Sequence, residues 1–164
     1  AITALEGPQV RFADGSTEEV DVIVCATGYH ISFPFFSDPK LVPDEQNRIP
    51  LFKQMMKPGV DNLFYLGLAQ PLPTLVNFAE QQSKLVAAYL TGKYLPPSEA
   101  AMNAEIEGAE QRRSGRYYNS PRHTIQVEFE PYVRDMNREM ARGAKRAAAA
   151  GNALPVPARA LENA

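Results

Sequence analysis

The sequence predicts an α/β fold, with a β-hairpin and two core strands followed by helices, on three observations. Val20-Asp21-Val22-Ile23-Val24-Cys25-Ala26 is an almost unbroken apolar run closed by Thr27-Gly28-Tyr29. Asn62-Leu63-Phe64-Tyr65-Leu66-Gly67 is a second compact run, also closed by glycine, and the second half of the chain carries apolar residues at helical spacing. A strand buried on both faces requires such a continuous apolar run, as in a parallel sheet with covering layers.

In chain order, Ile2 and Leu5 lead to Gly7-Pro8, a turn signal, after which Val10-Arg11-Phe12 alternates apolar and polar. Asp14-Gly15 suits the positive φ angles of a tight hairpin, which delivers the chain into the first apolar strand. Residues 30–59 hold Pro34, Pro39, Pro43, Pro50 and Pro58 and read as a surface excursion, with Phe33, Phe35 and Phe36 pinning part of it. After the second strand, Gln70-Pro71-Leu72-Pro73 turns the chain into Thr74, a helix N-cap. The first helix runs to about Leu90, with Phe78, Leu85, Val86 and Tyr89 on one side and Gly92 as its stop. Ser98 caps a second helix with Met102, Ile106 and Ala109 in one stripe. Phe129, Val133, Met136 and Met140 mark a third, with Pro131 tolerated in its first turn. The alanine-rich stretch from Ala144 onward reads as a flexible tail.

Composition narrows the function classes. A chain of 164 residues with 45% hydrophobic and 22% charged residues is ordinary globular usage, which excludes whole-chain disorder. A formal charge of −2 offers no general attraction to nucleic acid. Arg112, Arg113, Arg116 and Arg122 with Tyr117 and Tyr118 are accompanied by Glu107, Glu110 and Glu128, so that stretch reads as a solvated hinge. The lone Cys25 makes neither an internal disulfide nor a cysteine zinc site, and inside an apolar strand it reads as a small inert hydrophobe. His30 and His123 lack a third ligand at metal spacing. No apolar run reaches the ~20 residues that span a bilayer, and no signal-peptide layout opens the chain. The expectation is a soluble, cytoplasmic protein in a reducing compartment, with neither membrane nor nucleic-acid contact.

Two glycine-ended strands, the second followed by a capped helix, suggest a ligand site. Glycine lets a ligand approach the backbone, and the helix start presents free N–H groups and a partial positive charge. No Gly-x-Gly-x-x-Gly and no Walker loop occurs in the sequence. These residues therefore supply at most part of a dinucleotide pocket.

The Asp14-Gly15 hairpin and the Cys25-Ala26-Thr27-Gly28-Tyr29 strand end resemble the corresponding motifs of flavin-containing monooxygenases. So do Pro34-Phe35-Phe36, the run Leu63 to Leu72, Glu80-Gln81-Gln82, Leu95-Pro96-Pro97-Ser98 and Ser120 to Val127, in order across about residues 5–140. The glycine-rich FAD and NADPH fingerprints of that family and its identifying motif are missing. The resemblance is to the C-terminal portion of such an enzyme and implies a partial FAD/NAD(P)-binding Rossmann-like fold. Residues 1–30 would end the NADP-binding domain, 31–95 would close the FAD-binding domain, 96–143 would form a helical region and 144–164 the tail. The family uses NADPH to reduce FAD, and the reduced flavin activates O2 to oxygenate a soft nitrogen or sulfur nucleophile, an amine or a sulfide.

On that resemblance Thr27 and Gly28 would lie close to FAD, where a hydroxyl and a side-chain-free backbone suit ribose or pyrophosphate. Gln70, Leu72 and Thr74 would face the isoalloxazine. There the Gln70 amide could bond a flavin edge, while nearby N–H groups favour negative charge on the reduced ring. No catalytic side chain and no metal ligand is assigned. Two alternatives stay open: a Baeyer–Villiger monooxygenase acting on ketones, and a non-catalytic interaction or structural module. The partner expected in either enzyme reading is the N-terminal FAD- and NADPH-binding part. Because the apolar strands want more neighbours than this chain supplies, exposed apolar edges and self-association into homo-oligomers are expected.

Overall fold

The computed structural model describes residues 1–72, 74–114 and 124–155. The chain begins with an antiparallel meander, β1 (Ile2–Glu6), β2 (Gln9–Phe12) and β3 (Thr17–Glu19), in the order β1-β2-β3. Gly7 and Gly15 take positive φ angles, +62° and +87°, at the two turns the sequence marks. Leu5 pairs with Val10 and Glu6 with Gln9 across the Gly7-Pro8 turn. Val10 is the buried residue of this sheet.

The segment that follows departs from expectation. Val20 to Ala26 forms no ladder, and Val22 and Val24 are 76% and 83% exposed. Cys25, expected inside a strand, is exposed as well. A strand hidden on both faces needs backbone partners along both edges; beyond the Val20 N–H, which donates to the Pro8 carbonyl at 2.8 Å, the described residues place no strand beside this run. The second glycine-ended segment is likewise reduced to a single bridge, Phe64 opposite Met56, with the Tyr65 N–H donating to the Met55 carbonyl at 2.9 Å. Exposed apolar surface on the first segment is the outcome the shortage of neighbouring strands predicts.

The proline-punctuated stretch is not all surface. Leu51, Phe52, Met55 and Met56 are buried and join the core beneath the helices. Proline breaks regular structure but does not prevent burial of the residues between breaks. Asn47 anchors the exit of the first apolar segment, its Oδ1 accepting the Ile31 N–H at 3.0 Å and its Nδ2 donating to the Tyr29 carbonyl at 3.1 Å. Phe33 and Phe36 meet the Tyr65 ring at 5.6 and 6.3 Å, and the Tyr65 hydroxyl donates to the Leu41 carbonyl at 2.7 Å.

The helices follow the sequence closely. β4 (Gln70–Leu72) leads into α1 (Leu75–Leu90), whose cap is Thr74. Phe78, Leu85 and Tyr89 are buried along one face, and Gly92, at φ +69°, ends the turn where a Cβ would lie 2.5 Å from the Asn152 carbonyl oxygen. α2 (Glu99–Ser114) starts at Ser98, whose Oγ accepts the Ala101 N–H at 3.4 Å. β5 (Gln126–Glu128) pairs in parallel with β4, Gln70 opposite Gln126, and runs directly into α3 (Phe129–Ala149). α3 therefore extends past Ala144, where the sequence suggests a tail. Alanine is the strongest helix former, and Ala147 is buried. Phe78 on α1 and Tyr132 on α3 join these helices, ring centroids 4.3 Å apart.

Among the described residues, two charged groups, Lys53 and Glu139, are buried. The Lys53 side chain is 2% exposed and ion-paired to Glu105 of α2 and Asp135 of α3, bonding Asp135 at 2.6 Å. Glu139 accepts the Tyr94 hydroxyl at 3.0 Å and pairs with Arg146. Burial, reinforced by the Glu139 carboxylate, holds the Tyr94 phenol far above the ordinary tyrosine range. Burial does the same for Tyr132. A raised folded-state value contributes stability that is complete below the unfolded tyrosine pKa, near 10, and is lost as pH rises above it. Unfolding free energy should therefore fall by about 1.4 kcal/mol per buried tyrosine at about pH 11. Urea titrations across that range, read with tyrosinate absorbance, check this; stability unchanged to that pH would contradict it.

Candidate functional site

The corner between the second glycine-ended segment and α1 is built from four pieces. Gly67 takes φ +73°, its N–H donates to the Gln82 Oε1 at 2.8 Å, and its carbonyl accepts the Ala69 N–H at 2.8 Å. That tight turn sets Gln70 at the head of β4, where its N–H donates to the Ile125 carbonyl at 2.7 Å and its side chain is exposed. Leu72 ends β4 opposite Glu128. Thr74, exposed, accepts the Asn77 N–H on its Oγ1 at 3.4 Å.

The next two residues, Leu75 and Val76, are exposed and open the helix. Their N–H groups have no intrahelical acceptor, so the helix start retains donors and a partial positive charge. A Cβ at Gly67 would meet only Leu75 Cδ1 at 3.9 Å, which leaves the turn open to close approach. Beside it lies an apolar pocket of about 310 Å³, lined by Phe33, Phe36, Leu63, Tyr65, Leu66 and Gly67 among others. An exposed amide, free N–H donors and an adjoining apolar, aromatic wall suit a flat heterocycle with one electron-rich edge.

The predicted residues are thus brought together only in part. Gln70, Leu72 and Thr74 share the corner through chain connectivity and the β4–β5 pairing. Thr27 and Gly28 (φ +91°) are exposed, and among the described residues no hydrogen bond ties them to the corner. Glu80 is exposed and pairs with Lys84 at 3.0 Å. Among the described residues no group of three or more His, Cys, Asp or Glu could hold a metal, and no helix is long and apolar enough to cross a membrane. His123, Arg116, Tyr117, Tyr118 and Arg122 lie outside the described residues.

Gln82, Lys53 and Tyr132 escaped the sequence reading as organising residues. Gln82 had a visible signal, a polar residue four positions after Phe78 and three before Leu85 on the apolar stripe. Lys53 had none, because only the tertiary fold converges α2 and α3 on it.

Residues 1–148 match the FMO-like family, flavin-binding monooxygenase-like. The chain belongs to this family. It is 36% identical over 121 residues to flavin-containing monooxygenase 5 of Mus musculus, covering 72% of this chain and 22% of that relative. It is 37% identical over 139 residues to dimethylaniline monooxygenase (N-oxide-forming) 2 of Rattus norvegicus, covering 83% of this chain and 25% of that relative. The chain thus spans about a quarter of the length of these curated relatives. Among solved structures, S-allyl-L-cysteine S-oxygenase from Allium sativum superposes with a TM-score of 0.66 at 28% identity, covering 85% of this chain and 33% of that one. The mixed α/β fold is accordingly that of part of a flavin monooxygenase, Rossmann-like in kind, and the family's cofactor is a flavin.

Proposed function

We propose that this chain supplies the C-terminal wall of the flavin pocket in an NADPH-dependent FAD monooxygenase that oxygenates soft nitrogen or sulfur nucleophiles. The observation that carries this reading is the open corner at Gly67–Thr74, an exposed amide and a helix start beside an aromatic pocket, in a chain of the flavin monooxygenase family. Two of these similar proteins support the substrate class, one named for forming N-oxides and one for oxygenating sulfur.

The residues present fit one edge of a flavin. Gln70 would donate to or accept from the ring edge, and Thr74 orders the first turn of α1 so that its N–H groups favour negative charge on the ring. Leu72 would hold the backbone at the same edge. Thr27 and Gly28 would meet the ribose or pyrophosphate. They lie on a segment that lacks partner strands among these residues, so their placement would depend on the rest of the nucleotide-binding sheet. When bound, the flavin supplies O2 activation; this chain orients the ring and excludes water from one side of it. The two glycine-rich phosphate cradles would come from polypeptide other than these 164 residues.

The test is reconstitution. Co-expressed with the glycine-rich nucleotide-binding part of a family member, the chain should yield yellow protein whose NADPH oxidation is stimulated by a tertiary amine or a sulfide, giving the N-oxide or sulfoxide. An ester formed from a ketone, with no N- or S-oxide, would replace this reading by ketone oxygenation. Flavin bound stoichiometrically by the chain alone would remove the claim that the pocket is shared, and no flavin in any combination would leave a structural module.

A further inference from the structure

We propose that Gln82 is the positioning residue for the flavin-side turn at Gly67–Gln70, and that Tyr132 of α3 supports it; the flavin part of this inference rests on the function proposed above. Gln82 is 0% exposed on the face of α1 that otherwise packs Phe78 and Leu85. A leucine or methionine would fill that place without the desolvation cost of an amide, which is tolerable only when its polar atoms are bonded. Both ends of this amide are bonded, and to backbone. Oε1 accepts the Gly67 N–H at 2.8 Å, and Nε2 donates to the Gln54 carbonyl at 3.2 Å.

Each partner lies where the backbone takes a left-handed turn, ordinary for the glycine and uncommon for the non-glycine pair. Gly67 is at φ +73°, and the turn it opens delivers Gln70 to β4 within three residues. Lys53 and Gln54 are consecutive non-glycine residues at φ +52° and +56°. At non-glycine residues such geometry persists only where surroundings hold it. The carbonyls of both are caught from different helices, Lys53 by the Tyr132 hydroxyl at 2.9 Å and Gln54 by Gln82. Tyr132 and Gln82 thus clamp one strained loop from α3 and α1, and the clamp's other arm is the Gly67 N–H. The C-terminal helix is tied in this way to the turn that carries Gln70.

Amide hydrogen exchange of the chain, read at Gly67 by NMR against the core amides of α1 and α3, tests the clamp. Gln82→Met preserves volume and removes both bonds, and should speed Gly67 exchange by roughly tenfold beyond any change in the core amides. Tyr132→Phe, which removes one hydroxyl and serves if Gln82→Met does not fold, should speed Gly67 exchange a few-fold with the core intact. Gly67 exchange that moves only in step with the core in both variants overturns the inference.

In the reconstituted flavoenzyme, Gln82→Met should shift the flavin absorption spectrum and lower kcat with little change in KM for the amine. A freed Gly67 with spectrum and kcat unchanged overturns the flavin role of the turn. A freed Gly67 in a wild-type chain that never acquires flavin counts against the functional reading while supporting the hold of Gln82 on the turn.

Discussion

Replacing Glu105 and Asp135 together by alanine is expected to lower the unfolding free energy by about 3 kcal/mol, because it strands the Lys53 ammonium. The Lys53 side chain is 2% exposed, and its charge is met by these two carboxylates and, more weakly, by the Phe52 ring 5.1 Å away. The carboxylates themselves are partly exposed, at 33% and 52%, so the asymmetry is large. Removing the lysine leaves two groups that water can solvate, whereas removing the carboxylates leaves a cation that water cannot reach. Adding Lys53→Met to the double variant should therefore recover most of the loss, since a buried apolar chain of similar length suits the site. Urea unfolding of the single, double and triple variants gives the coupling directly. A double variant within about 1 kcal/mol of the parent would show that Lys53 finds solvent and that the burial argument fails.

Gly143→Ala is expected to destabilise the chain by about 2 kcal/mol even though alanine is the better helix former by ~1 kcal/mol. A Cβ at Gly143 would stand 2.0 Å from Tyr94 Cδ2, so ring or helix must move. The Tyr94 ring crosses α3 at this point, and its hydroxyl ends on Glu139 at 3.0 Å. The neighbouring Leu95 N–H donates to the Gly143 carbonyl at 3.1 Å, and the Arg146 Nε donates to the Leu95 carbonyl at 2.9 Å. Displacement of the ring therefore loosens three bonds at once and frees the last turns of α3. Pairing Gly143→Ala with Tyr94→Leu should relieve the clash, making the double variant more stable than the sum of the two single changes allows. Strict additivity in that pair would mean that the ring does not block the helix.

The helices were legible because their signals are local. Thr74 and Ser98 cap, Gly92 stops, and the Phe78 and Met136 stripes repeat at helical spacing, all within a few turns of chain. The hairpin was legible for the same reason, through Gly7-Pro8 and Asp14-Gly15. The two apolar, glycine-ended strands were not. Val20 to Ala26 has the composition of a core strand, but a ladder is made by its neighbours, and the described residues bring no strand alongside. The expected extent of the surface excursion failed at Leu51 to Met56 because proline spacing reports broken regularity rather than exposure. Of the candidate site, the corner residues Gln70, Leu72 and Thr74 were readable from turn and cap chemistry together with the family resemblance. The groups that hold that corner in place, Gln82 and behind it Tyr132, depend on contacts across 15 to 79 positions of sequence.

The sequence by itself determined where the three helices start, where the first hairpin turns and α1 stops, the absence of any phosphate-cradling glycine fingerprint, and the family. These depend on residue type and short spacing, which the chain carries in one dimension. Only the tertiary structure decided that a lysine is buried between two helices, that a glutamine on an apolar stripe holds the Gly67 turn, and that the most apolar run lies exposed. Each of those outcomes depends on which distant backbone or charge arrives beside a residue, and burial and ladder formation follow from that arrival rather than from the residue alone.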